Sequence, residues 1–215
     1  MAAITTLVPD VLAEIPGIPS FVAERQLLRA IRVFCEETLA WRVNIQISTV
    51  DTESTVDLET LLPASTELVD VVTMKNNGGG EPVHPRTYSW LDTNTSDWRS
   101  ETDIAAKWYI RDGNNILRLV PTPASTSTEL YTTRLAVKPL LTATVIDDLL
   151  INKFNEEFIH GALAYLYLIP RKPWTDPGMG QYHLLLFQDS FSSARVAAAE
   201  EFETGVARKV KYGGI

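Results

Sequence analysis

The run from Gly161 to Pro177 constrains this 215-residue chain more than any other segment, because one apolar helical pattern stops in it and a second starts at once. Ahead of it Leu149, Leu150, Phe154, Phe158, Ala162, Leu163, Leu166 and Ile169 recur at the threes and fours of a buried helix face. Pro170 and Pro173 cannot donate a backbone hydrogen bond and clash with the preceding turn, so that helix ends before them. Pro177 is tolerated in a first turn, where its missing N–H has no partner to lose. A last helix is therefore expected from Asp176-Pro177 through Tyr182, Leu184, Leu185, Phe187, Phe191, Ala194, Val196 and Ala198 toward Glu203, with Gly205 as its stop. Pro173, Trp174, Asp176 and Pro177 form the structural corner, and Trp174 is expected to pin it against the core.

A lone pair of helices cannot bury both apolar stripes, and the sequence supplies a third near its start. Pro9, Pro16, Gly17 and Pro19 break the first residues into an expected irregular arm that packs on a neighbour, and Ser20 then suits a helix N-cap. Val22, Leu27, Leu28, Ile31, Phe34, Cys35, Leu39 and Trp41 follow at mostly helical spacing, with Glu24, Arg25, Arg29, Arg32, Glu36 and Glu37 between them. The period changes at Val43, where Val43, Ile45, Ile47 and Thr49 alternate with Asn44, Gln46 and Ser48 as a strand does.

Further strands are expected at 55–61, 67–74, 107–111, 116–120 and 129–137. Asp112-Gly113-Asn114-Asn115 tolerates positive φ and closes the third and fourth of these into a hairpin. Residues 76–80 and 122–128 read as turn and connector, and 93–102 as a surface loop or a short helix. Asp147 and Asp148 suit the positive end of the next helix.

The class expected is α+β: a helical bundle of about three main helices, with a β-rich antiparallel insertion between the first helix and the last two. The divisions are 1–42 for arm and first helix, 43–145 for the insertion, 146–205 for the last two helices and 206–215 for a basic tail.

Charge and composition narrow the function. A net charge of −8 and a pI near 4.9 oppose general affinity for nucleic-acid phosphates, which requires clustered cations that release counterions. Sequence-specific nucleic-acid binding is not expected. Residues 1–9 carry no basic residue, and no apolar run is long enough to cross a bilayer, so the chain is expected to be cytosolic when made and to have no membrane partner. Cys35 is the single cysteine, which excludes an intrachain disulfide, and its helical apolar neighbours predict a buried thiol.

Chemistry-bearing patterns are sparse. Glu157-Phe158-Ile159-His160 has the Glu-x-x-His spacing of di-iron bundles, but such a site needs a second helical copy. His183 has Gly180 at the required position, and Glu81 to His84 lies between prolines after a triple glycine, where no helix presents both ligands. No serine sits in a Gly-x-Ser-x-Gly elbow, and neither phosphate-binding glycine signature is present. No catalytic residue, metal or cofactor is expected. Trp90 and Trp98, among polar neighbours, are read as interface residues, and Trp41, Trp108 and Trp174 as core. An alternative reading is a small hydrolase or glycan-active protein using the Trp90 and Trp98 region with Asp92, Asp97 and Asp103. The tail reverses the charge of the rest, with Arg208, Lys209 and Lys211 beside Tyr212 and the final Ile215. Its cations are either solvated or a flexible arm that orders on an acidic partner.

The segment Arg32 to Arg42 together with Gly161 to Ala164 and Pro173 to Pro177 resembles the head-to-tail adaptor (connector) proteins of tailed bacteriophages, a group that includes the tail tubular protein A type of short-tailed phages. The resemblance implies a structural, non-enzymatic virion protein of the neck, assembled as a homo-oligomeric, twelve-fold ring under the portal, with DNA passing through its lumen. Its implied partners are further copies of itself, the portal protein and a tail or tail-tube (nozzle) protein. By position it also implies a C-terminal segment that docks on the portal, here Arg208, Lys209, Lys211, Tyr212 and Ile215. Another neck or tail-completion protein is the neighbouring alternative.

Overall fold

A computed structural model of the chain describes residues 1–48, 55–113, 115–124 and 130–200. Its elements in chain order begin with β1 (Ala2–Ala3), a 3-10 turn (Ile4–Leu7), α1 (Val8–Glu14), α2 (Ser20–Thr38) and β2 (Arg42–Ser48). Then come β3 (Thr55–Asp57), β4 (Thr66–Asn76), β5 (His84–Pro85), α3 (Tyr88–Asn94) and β6 (Thr102–Asp103). After these follow β7 (Trp108–Asp112), β8 (Ile116–Val120), β9 (Thr122–Pro123), β10 (Leu130–Pro139), β11 (Val145–Ile146), α4 (Asp148–Tyr167) and α5 (Pro177–Ala199). The class is mixed α+β, with five α-helices and several antiparallel sheets among the described residues.

The N-terminal segment departs from expectation. It is not an irregular arm: β1 pairs antiparallel with β11, and Ile4, Leu7, Val8, Val11, Ile15 and Ile18 are buried in the chain's own main core. Pro9 lies in the first turn of α1, where it breaks nothing, and the apolar residues around it recur at helical spacing. The reversal into α2 comes later, at Gly17, whose φ of +93° suits a residue without a Cβ.

α2 starts at Ser20 with Pro19 in the N-cap position and no side-chain cap, so Ser20 is the first helical residue instead of the cap. Its buried face is Ala23, Leu27, Ala30, Ile31, Phe34, Cys35 and Thr38. It stops where Leu39 takes a left-handed conformation and its N–H bonds the Cys35 carbonyl at 3.0 Å.

β2, β10 and β4 make an antiparallel sheet with β10 in the centre, and Ile47 and Ile45 stand opposite Tyr131 and Thr133. α2 lies against β10, where Tyr131, Leu135 and Val137 are fully buried. Arg32 donates to the Pro139 carbonyl and pairs with Glu67 at 3.1 Å, fastening the helix to two strands of that sheet.

β3, β8, β7 and β5 make a second sheet in that order, and the expected hairpin is present with Asp112 opposite Ile116. The β region is not purely antiparallel: β5 runs parallel to β7, and β6 parallel to β9. The strand expected over 55–61 ends at Asp57, because local bonds win: Asp57 Oδ1 accepts from the Glu59 N–H, the Asp57 carbonyl accepts from Thr60 Oγ1, and Glu59–Leu61 turn as 3-10.

Trp98 corrects the interface reading. It is 3% exposed and forms a small separate core with Leu91, Ile110 and Val120, while Tyr88, Trp90 and Trp108 pack around it half-buried. Its indole N–H donates to Asp92 at 2.9 Å, which makes burial affordable among polar sequence neighbours. Trp108 belongs to this satellite cluster, whereas Trp41 is buried in the main core and Trp174 packs half-buried against it.

Candidate functional site

The corner between α4 and α5 is built from local hydrogen bonds. α4 ends as the Leu168 N–H bonds the Ala164 carbonyl at 3.3 Å, and Arg171 turns the chain at a φ of +58°. Thr175 Oγ1 donates to the Ile169 carbonyl at 2.6 Å and accepts from the Lys172 N–H at 2.9 Å. The Asp176 N–H reaches the Tyr167 carbonyl at 3.1 Å, which closes the loop. Asp176 then caps α5, its Oδ1 accepting from the Gly178 and Met179 N–H groups at 3.0 and 3.1 Å. Pro177 is the first helical residue and Pro173 is exposed. Trp174 is half-buried with its indole N–H unpartnered among the described residues.

Two glycines let α5 lie close. A Cβ at Gly180 would come within 2.8 Å of Leu168, and one at Gly161 would come within 2.8 Å of Ala30 and 2.9 Å of Phe187. Gly161 is thus the point where α2, α4 and α5 meet. Phe34 of α2 joins the three, its ring centroid 4.8 Å from Phe154, 5.2 Å from Phe158 and 5.9 Å from Phe191. Farther along, Arg195 of α5 bonds the carboxylate of Glu37 at 2.9 Å and its carbonyl at 2.6 Å, holding the far half of α5 to the end of α2.

His160 and His183 face each other across α4 and α5, with their Nδ1 atoms 3.1 Å apart. Sequence reasoning took the two separately, and the signal that joins them is symmetry. Each lies seven residues from the Tyr167–Asp176 bond that closes the corner, so an antiparallel pair of helices brings them level. Among the described residues no group of three or more His, Cys, Asp and Glu gathers as a metal cage.

Cys35, Asp92 and Asp103 are tied into structure. Burial pushes the Cys35 thiol up to about 12, so it stays protonated and unreactive. Asp92 is held below the usual carboxylate range by hydrogen bonds from Arg99 and then Trp98, and Asp103 by hydrogen bonds from Lys107 and then the Ile104 N–H. A general acid needs the opposite shift. Asp97 is exposed in a left-handed turn.

Two clefts flank the helices. One, of about 460 Å³, opens at the corner between Glu14, Ile15 and Pro16 on one side and Tyr167, Trp174 and Asp176 on the other. Another of about 460 Å³ runs beside α2, where Phe21 is 68% exposed and Leu141 75% exposed. α5 also carries Tyr182, Leu185 and Val196 on an exposed face, at 55, 67 and 57%. Apolar surface in these amounts on one helix and one groove is the material of protein contacts. No described helix is long and apolar enough to cross a membrane.

The model of the family described as SU10 adaptor protein matches residues 1–209. The chain belongs to the SU10 adaptor protein family. This is a family of bacteriophage head-to-tail adaptors, so the chain is a structural adaptor of the phage neck. Among curated proteins no match is found. Membership implies portal and tail proteins as partners. The expected portal-docking residues Arg208, Lys209, Lys211, Tyr212 and Ile215, and the expected helix stop at Gly205, lie outside the described residues.

Proposed function

We propose that the chain is a ring-forming head-to-tail adaptor that docks on the portal on one side and on a tail or nozzle protein on the other, with DNA passing through the ring. The observation that carries this reading is the match to an adaptor family over residues 1–209. In this account α2, α4 and α5 act as the bundle, residues 43–145 as the inserted β region, and the corner at Pro173, Trp174, Asp176 and Pro177 sets the direction of α5. In the sequence α5 is followed by the basic segment of Arg208, Lys209, Lys211, Tyr212 and Ile215, which serves as the portal-docking tail.

Repeated heterologous contacts close into a ring when the rotation per subunit closes, and the family resemblance points to twelve copies. The exposed apolar residues of α5 and the groove beside α2 supply surfaces of the needed kind. A net charge of −8 keeps the lumen from gripping phosphates, so DNA slides. The protein works by shape and contact, without catalysis. Deleting 208–215 tests the docking role: binding to the cognate portal, measured by co-sedimentation, drops sharply while ring contacts persist. Unchanged binding contradicts a docking tail.

A further inference from the structure

We propose that His160 and His183 form an acid-released latch between α4 and α5. The contact has room for one proton, because two Nδ1 atoms 3.1 Å apart hydrogen-bond only if one is N–H and the other a bare lone pair. The burial pattern decides which is which. His183 is 6% exposed, and its Nε2 is enclosed with no hydrogen-bond partner among the described residues. A proton on that atom would bury a donor with no acceptor, so the geometry assigns the proton of His183 to Nδ1, from which it donates to His160 Nδ1. The tautomer of His160 follows: its own proton lies on Nε2, on the partly exposed side chain.

Acid has no comfortable place in this arrangement. A proton taken up at His160 Nδ1 sets donor against donor and drives the rings apart. A proton taken up at His183 Nε2 keeps the bond but leaves a buried cation without an acceptor. Burial first, and the neighbouring His160 second, hold His183 below its ordinary value of 6.5. The groups around it are few. Glu14 of α1 is the carboxylate that opposes this depression, Tyr167 of α4 stacks on the His183 ring at 5.8 Å, and Tyr182 of α5 meets it edge-on at 5.2 Å. On α2, Arg29 is engaged over the Tyr165 ring at 4.3 Å. The sign follows from linkage: the folded state binds fewer protons, so the latch contributes fully above the ordinary histidine value and is lost as pH falls below it.

What opens is the start of α5, seated on α4 at Gly180 and held at the corner by Asp176. The latch belongs to the joint itself and stands whether or not the tail docks on a portal. Amide hydrogen exchange of residues 177–187 in the full chain reads it, at pH 7.5 and 5.5 and corrected for intrinsic rates. Protection in the wild type falls on acidification, by up to about ten-fold. In His160→Asn, whose amide oxygen accepts the His183 proton and never titrates, the donor-against-donor part of the loss is gone and protection falls clearly less than in the wild type. Nitrogen-15 spectra of the imidazoles at pH 7.5 show His183 as the Nδ1–H tautomer. Wild-type protection that is equal at both pH values, an equal fall in His160→Asn, or an Nε2–H His183 overturns the proposal.

Discussion

Asp176 shows how much a single side chain does at this corner. Its carboxylate satisfies two of the orphan N–H groups at the start of α5, and its own N–H is bonded to the end of α4. Asp176→Ala keeps the backbone bond and loses the cap, so thermal unfolding registers a loss of about 1 kcal/mol. The start of α5 at Asp176-Pro177 was legible in the sequence, as was that of α4 at Asp147 and Asp148, because a first-turn proline and acids at the helix dipole are local signals; the caps these aspartates make were not read. Trp98 was not legible, for the opposite reason. Its neighbours in sequence are polar, and the groups that bury it, Leu91, Ile110 and Val120, are brought in by α3, β7 and β8. The sequence shows the company a residue keeps along the chain and hides the company it keeps across it.

At the scale of elements, the helices were the clearest part of the chain. α2, α4 and α5 follow from apolar spacing bounded by proline and acidic residues, and the β7–β8 hairpin from its Asp-Gly turn. α1 was hidden because its proline was read as a breaker although it sits in a first turn. The parallel pairs β5–β7 and β6–β9 had no signal, since two-residue strands have no period to read. The His160–His183 contact was available in principle, because two helices joined by a short corner bring level those residues equidistant from it. The packing of the three long helices depends on Phe34, which is fully buried among rings of α4 and α5. Phe34→Ala leaves a cavity there, and denaturant unfolding should show a loss of about 3–5 kcal/mol, far above the effect of the cap.

For the whole molecule, the decisive fact is membership of an adaptor family, and the features of the fold acquire their meaning from it. A chain whose Asp92 and Asp103 are paired, whose thiol is buried and whose long helices carry apolar residues outward has surfaces to offer its neighbours. The part of the site that sequence alone made visible was the corner and the reversed charge of the tail. The portal contact proposed for Arg208 to Ile215 is a matter of assembly, and a single copy of the chain does not contain its partner. The most direct measurement is therefore electron microscopy of the purified protein mixed with its cognate portal. The account predicts a closed ring seated coaxially on the portal, with an open lumen wide enough for duplex DNA. A chain that stays monomeric and leaves the portal bare at every salt concentration contradicts it.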